Sequence, residues 1–186
     1  MRQLLKGASF LMLMDFVREV LGEGVFEELV EGLSPEARET FTGEISKASW
    51  YPLDHYSELE GAIVKRFFRG DITYARKIAA FTMERAYEDI YRLAFIPIRN
   101  PKDAIGAIAQ LWSLYNTPGR AETEIGEGWA KGRLTEICPI PDIHKEHLCG
   151  WAEKLLEKAG AKDPRVTWEQ DGDDLIFHFR WQEPSD

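Results

Sequence analysis

Thiols and imidazoles are scarce in this chain, with two cysteines and four histidines in 186 residues. So few cysteines exclude a disulfide-built scaffold, although Cys138 and Cys149 neither require nor forbid a bond between them. No run approaches the roughly 20 apolar residues that a membrane-spanning helix needs. Basic residues are outnumbered 32 to 23, and the formal charge of -9 argues against nucleic acid or an anionic membrane surface as the main partner. Catalytic signatures are absent too: there is no P-loop, no G-x-S-x-G and no H-E-x-x-H, and the glycines around Gly126 do not sit between a strand and a helix as a phosphate cradle must. Paired acids such as Glu27-Glu28 and Asp173-Asp174 fall on turns or polar faces and need no function. Arg2 and Lys6 before the apolar run Ala8 to Met14 resemble a signal-peptide opening, but Asp15 and Arg18 follow with no small-residue cleavage site, so a cytoplasmic location is expected.

What is present is the composition of a folded globular chain, 44% hydrophobic and 30% charged. At this length one domain over residues 1–186 is expected, burying about 70% of the surface the unfolded chain exposes. Residues 1–116 read as helical. Leu4, Leu5, Phe10, Leu13, Phe16 and Val17 mark a first amphipathic helix, and Val25, Phe26, Leu29 and Val30 a second. Ser34-Pro35 is a helix start, with serine as N-cap and proline at the first helical position. In Ser49 to Tyr56, SWYPLDHY, Pro52 forces an extended residue before it and Asp54 is placed to cap the next helix, striped by Tyr56, Leu59, Ile63 and Phe67. Ile72 to Phe95 is the longest helical pattern, and Asn100-Pro101 opens a sixth helix with Ile105, Ile108, Leu111, Trp112 and Tyr115 on its buried side.

Residues 117–186 change character. Ala121 to Ile137 reads as two strands about a turn near Gly126 and Gly128. Leu148, Trp151, Leu155, Leu156 and Ala159 then recur at helical spacing until Gly160. Val166 and Trp168, a turn at Asp171-Gly172, and Leu175, Phe177, Phe179 and Trp181 form a second hairpin with one buried face. The fold class is α+β: about six helices, then a small antiparallel sheet with one helix between two hairpins.

Cys138, His144, His147 and Cys149 have the right atoms for a metal, spaced C-x5-H-x2-H-x-C. His147 and Cys149 are two positions apart, however, and point in different directions near a helix start, which favours a buried structural Cys149 beside Trp151, with His144 and His147 capping or exposed. Aromatic residues at helical spacing form either plain core or the wall of a small-molecule pocket; Phe81, Tyr91 and Trp112 are the candidate lining. Arg76, Arg85 and Arg92 are candidate partners for a ligand carboxylate, against the plainer reading of solvated arginines.

The C-terminal unit, LCGWAEKLLEKAGAKDPRVTWEQDGDDLIFHFRW, resembles the end of the vinyl-reductase-type small-molecule binding domains, whose superfamily includes haem-nitric-oxide-binding proteins and TRAPP vesicle-tethering subunits. KGASFLMLMDFVREVLGEGVFEEL looks like the opening helices of that superfamily, and SWYPLDHY with FRGDITYARKIAAF is similar to an uncharacterised myxobacterial paralogous family. The resemblance implies a non-enzymatic ligand-binding or sensory domain, dimeric as its relatives tend to be, with a mostly apolar pocket. A second reading is a dimerising TRAPP-like scaffold with no ligand, and a third a small zinc enzyme using Cys138 and the histidines. The zinc site of the sensor members is matched at Cys149 and Glu169, but Ile176 stands in place of the last cysteine and another cysteine is missing, so that zinc is not expected. Haem-binding relatives carry a histidine on a long helix and a Y-x-S-x-R motif. Ile72 to Phe95 holds no histidine and the motif is absent, so no cofactor, and no haem, is expected.

Overall fold

The computed structural model describes residues 2–88 and 92–182. The chain opens with a strand, β1 (Leu4–Lys6), followed by α1 (Gly7–Phe16) and a π-helical turn over Val17–Leu21. Leu4 to Lys6 was expected to be helical. It lies instead between β2 (Trp50–Pro52) and β3 (Asn116–Thr117), antiparallel to both, with Leu5 opposite Tyr51 on one side and Asn116 on the other. Pro52 holds the β2 segment extended and offers a template for β1 that outweighs a helical pattern only three residues long. Gly7 permits the crossing that follows, because a Cβ there would stand 2.1 Å from the Ser46 carbonyl oxygen.

Helices α2 (Glu23–Glu31), α3 (Pro35–Thr42), α4 (Leu53–Phe67), α5 (Ala75–Glu88) and α6 (Pro101–Tyr115) follow. Local chemistry sets several of their starts. Ser34 Oγ accepts the Ala37 N–H at 3.3 Å, and Asn100 Oδ1 accepts the Asp103 N–H at 2.9 Å. Asp54 does not cap α4; the helix begins at Leu53, with Pro52 in the capping position. The pattern from Ile72 to Phe95 is also divided, into a 3-10 turn (Ile72–Tyr74), α5 and a second 3-10 turn (Arg92–Phe95), while Ile90 and Tyr91 lie outside the described residues.

The second half forms a four-stranded antiparallel sheet in the order β4 (Arg120–Ile125), β5 (Trp129–Thr135), β7 (Asp174–Gln182), β6 (Lys162–Asp171), with α7 (Asp142–Lys158) between the hairpins. The fold is α+β, as expected. Ala130, Gly132 and Leu134 on β5 pair with Phe179, Phe177 and Leu175 on β7, so one face of the sheet is apolar and packed inward. Helix α7 packs closely on α5. A Cβ on Gly150 would lie 2.4 Å from Arg76 Cα and 2.6 Å from its carbonyl oxygen, so only glycine lets the two backbones approach this far. Buried side chains from both halves join in one continuous core. No helix among the described residues is long and apolar enough to cross a membrane.

Candidate functional site: an apolar cavity with a buried Glu-His-His pole

Between α1, α4, α6, α7 and the inner sheet face lies a cavity of about 110 Å³. Leu111 and Trp112 on α6, Leu148 and Trp151 on α7, and Phe177 and Phe179 on β7 supply much of its wall. Gly132 helps to keep it open, since a Cβ there would already stand 3.1 Å from the Phe179 ring. Four lining residues bury a polar atom with no hydrogen-bond partner: Tyr56 Oη, Trp112 Nε1, Asn116 Oδ1 and His144 Nε2. Each such atom costs about 1–3 kcal/mol if nothing meets it.

The polar end is built by two helices. On α7, His144 and His147 are three residues apart and therefore share a face, with rings nearly parallel and centroids 5.1 Å apart. On α4, Tyr56 and Glu60 are one turn apart and face them. The Tyr56 ring meets both imidazoles edge-on, and Glu60, fully buried behind them, reaches His147 Nδ1 at 2.6 Å and His144 Nδ1 at 3.5 Å. Burial pushes Glu60 above the usual carboxylate range. It also pushes His144 down and holds His147 at about 3, so both imidazoles are neutral. Glu60 and His147 Nδ1 share one hydrogen bond, His147 Nε2 lies 3.4 Å from Thr82 Oγ1, and Thr82 donates to the Ala79 carbonyl at 3.0 Å.

Of the four residues read as metal candidates, the two histidines come together here and the two thiols do not. Among the described residues, the only His, Cys, Asp and Glu group with metal-ligand spacing is Glu60, His144 and His147. Cys149 is buried on the α7 face that meets Arg76, and burial pushes its thiol up to about 12. Cys138 is half-buried, its N–H bonded to Gln3 Oε1, and both cysteines are free. Trp112 lines the cavity. Phe81 is not part of the lining and packs edge-on against Phe16, while Tyr91 lies outside the described residues. Arg76 is a tie between elements, bonded to Glu146 and Glu153 at 2.6 Å and to the Val166 carbonyl at 3.0 Å. Arg85 pairs with Glu19. The side chain of Arg92 lies outside the described residues. Glu60 was missed by sequence reasoning because it reads as one more acid on a mixed helix; its signal is position, one turn beyond Tyr56 on the apolar stripe of α4.

No protein-family profile matches the sequence, nor does any curated protein. Solved structures do match. An H-NOX protein from S. oneidensis in the Fe(II)NO ligation state superposes with a TM-score of 0.74 at 14% identity, covering 96% of this chain and 99% of that one. The Fe(II) unliganded H-NOX protein from K. algicida gives 0.73 at 13% identity, over 97% and 98%. The fold is that of the H-NOX proteins. A third match, from work on haem redox potential and porphyrin distortion, gives 0.67 at 11% identity over 95% and 99%. The resemblance of the sequence to the haem-NO-binding superfamily therefore holds at the level of fold.

These neighbours overturn the expectation that no cofactor, and no haem, belongs with this chain. They are H-NOX proteins recorded in Fe(II) and NO-ligated states, and their fold spans nearly all of it. That expectation rested on a search for histidine between Ile72 and Phe95, whereas the imidazoles that line this cavity come from α7.

Proposed function

We propose that this protein is a sensory or regulatory domain that encloses a small, mostly apolar molecule between α6, α7 and the four-stranded sheet. The observation that carries the reading is the cavity, apolar on most sides and edged by buried polar atoms that no protein group satisfies. Its volume of about 110 Å³ approaches that of the ~150 Å³ engineered cavity that takes benzene or xenon, so the ligand has only a few heavy atoms. Diatomic gases and small aromatic molecules are of that size.

Haem is the cofactor that the H-NOX neighbours bring into consideration, and His144 is the residue placed to ligate its iron. His144 Nε2 is buried, faces the cavity and has no partner, while its Nδ1 lies toward Glu60, an arrangement that orients a ligating imidazole. His144 would hold the iron, and bound haem would supply a site for a diatomic ligand. A macrocycle needs more room than the cavity of about 110 Å³ offers.

The test is thermal shift and native mass spectrometry of the full chain with benzene, toluene, indole and hemin. The expected result is a rise in melting temperature with at least one of these, diminished in Gly132→Leu, whose side chain projects into the cavity. No shift with any of the four would refute the reading and leave the ligand-free dimerising scaffold. Light scattering then reports whether the chain forms the dimer that the superfamily resemblance implies.

A further inference from the structure

We infer that Glu60, His144 and His147 form a mononuclear site for a first-row divalent metal ion, bound directly by the protein at the polar end of the cavity. Three observations carry this. First, the donor set is two imidazoles and one carboxylate, the composition of open zinc sites and of non-haem iron(II) sites that keep positions free for small molecules. An iron in haem takes one or two protein ligands, so three convergent donors are more than a porphyrin leaves room for.

Second, the distances suit an ion. One donor atom from each residue lies within 4.8 Å of the others. Bonds of about 2.0–2.2 Å place two ligands of one ion at most about 4.4 Å apart, so the triad spans a distance that an ion can bridge, and Glu60 and His147, 2.6 Å apart, have to open slightly to admit it.

Third, the site is expensive without an occupant. Glu60 is fully buried, and His144 and His147 are 2% and 5% exposed. Three apolar side chains would fill the same space without desolvating any ionisable group. Metal-free, the buried Glu60 carboxyl is met by the two imidazoles, at 2.6 Å from His147 Nδ1 and 3.5 Å from His144 Nδ1. An ion bound there would be held by a carboxylate and two neutral imidazoles, the ligand forms that such metals take. The outer supports are in place already: His147 Nε2 faces Thr82 Oγ1, and Tyr56 fixes both rings edge-on. His144 and His147 also line the cavity, so an ion held between them and Glu60 lies next to the space assigned above to the small ligand. The inference deepens that reading, yet it rests on the triad alone.

The experiment is metal loading of the full chain after dialysis against EDTA. Zn²⁺, Co²⁺ and, under anaerobic conditions, Fe²⁺ are added; unbound ion is removed by gel filtration, and bound metal is counted by mass spectrometry. The expected result is one ion per chain, visible d–d bands with Co²⁺, and a raised melting temperature. Glu60→Gln, His144→Gln and His147→Gln should each weaken binding by at least about 100-fold, while the Cys138→Ser/Cys149→Ser double variant binds as the parent does. Any ligand variant that fails to fold is set aside, because the parent's own stoichiometry and Co²⁺ spectrum already decide the matter. Three outcomes would overturn the proposal: no retained ion and no Co²⁺ bands, binding that depends on the cysteines but not on Glu60, or uptake of hemin with a Soret band by a chain that retains no free ion. Failure of the apolar ligand panel with one ion retained would instead sink only the sensory reading.

Discussion

Replacing Glu60 by leucine in metal-free protein tests the account of the buried triad most directly. Glu60 is fully buried, and its bond to His147 Nδ1 at 2.6 Å is the shortest in the cluster. Leucine is close to glutamate in volume and leaves little void, so packing changes are minor. What is lost is the hydrogen-bond partner of His147 Nδ1 and the carboxyl oxygen near His144 Nδ1. Each orphaned nitrogen costs about 1–3 kcal/mol, and the second, already 3.5 Å away, falls at the low end, which gives about 2–4 kcal/mol in all. His147→Leu alone should cost about 1–3 kcal/mol, because it leaves the Glu60 carboxyl facing only His144. In Glu60→Leu/His147→Leu both partners are gone and most of the loss should return, a coupling of at least about 2 kcal/mol. The assay is urea unfolding in EDTA, comparing midpoints at constant m. If the two losses instead add to within about 0.5 kcal/mol, Glu60 and His147 are not bonded to one another in solution.

Three further outcomes are expected. Gly150→Ala should destabilise by about 1–3 kcal/mol, read by the same unfolding assay, because its Cβ would meet the Arg76 backbone at 2.4 Å and the two helices must separate. An unchanged midpoint would place α5 and α7 further apart than described. Trp112→Ala should cost about 3–5 kcal/mol and enlarge the cavity, so that indole raises its melting temperature more than it raises the parent's. With iodoacetamide at pH 8, native protein should alkylate at Cys138 only and urea-unfolded protein at both cysteines, by intact mass, because Cys149 is fully buried and its thiol is held at about 12; rapid native labelling of Cys149 would contradict this.

Most of the fold was legible because its signals are local. The serine and asparagine caps at Ser34 and Asn100 act within four residues, and both hairpins announce themselves by alternation about glycine turns. Leu4 to Lys6 was misread because a strand of three residues is fixed by its neighbours in space, one of them more than 100 positions away. The site was half legible. His144 and His147 stood out as rare residues, and their shared face follows from helical spacing. Their third partner comes from α4, and no regularity in sequence connects position 60 with position 147. The cysteines drew attention by chemistry alone, whereas the turn of α7 places Cys149 on the far side, against Arg76.

The contact of Gly150 with Arg76 leaves α5 and α7 no clearance in which to slide. Arg76 then rivets the pair to the edge strand, since it holds Glu146 and Glu153 while bonding the Val166 carbonyl, and Trp168 Nε1 closes on Glu146 at 2.8 Å. Mechanically, α5, α7 and β6 make one stiff frame with both histidines mounted on its inner side. A shift of α7 alone is not open to such a frame: α7 moves only with α5 and β6, as one body.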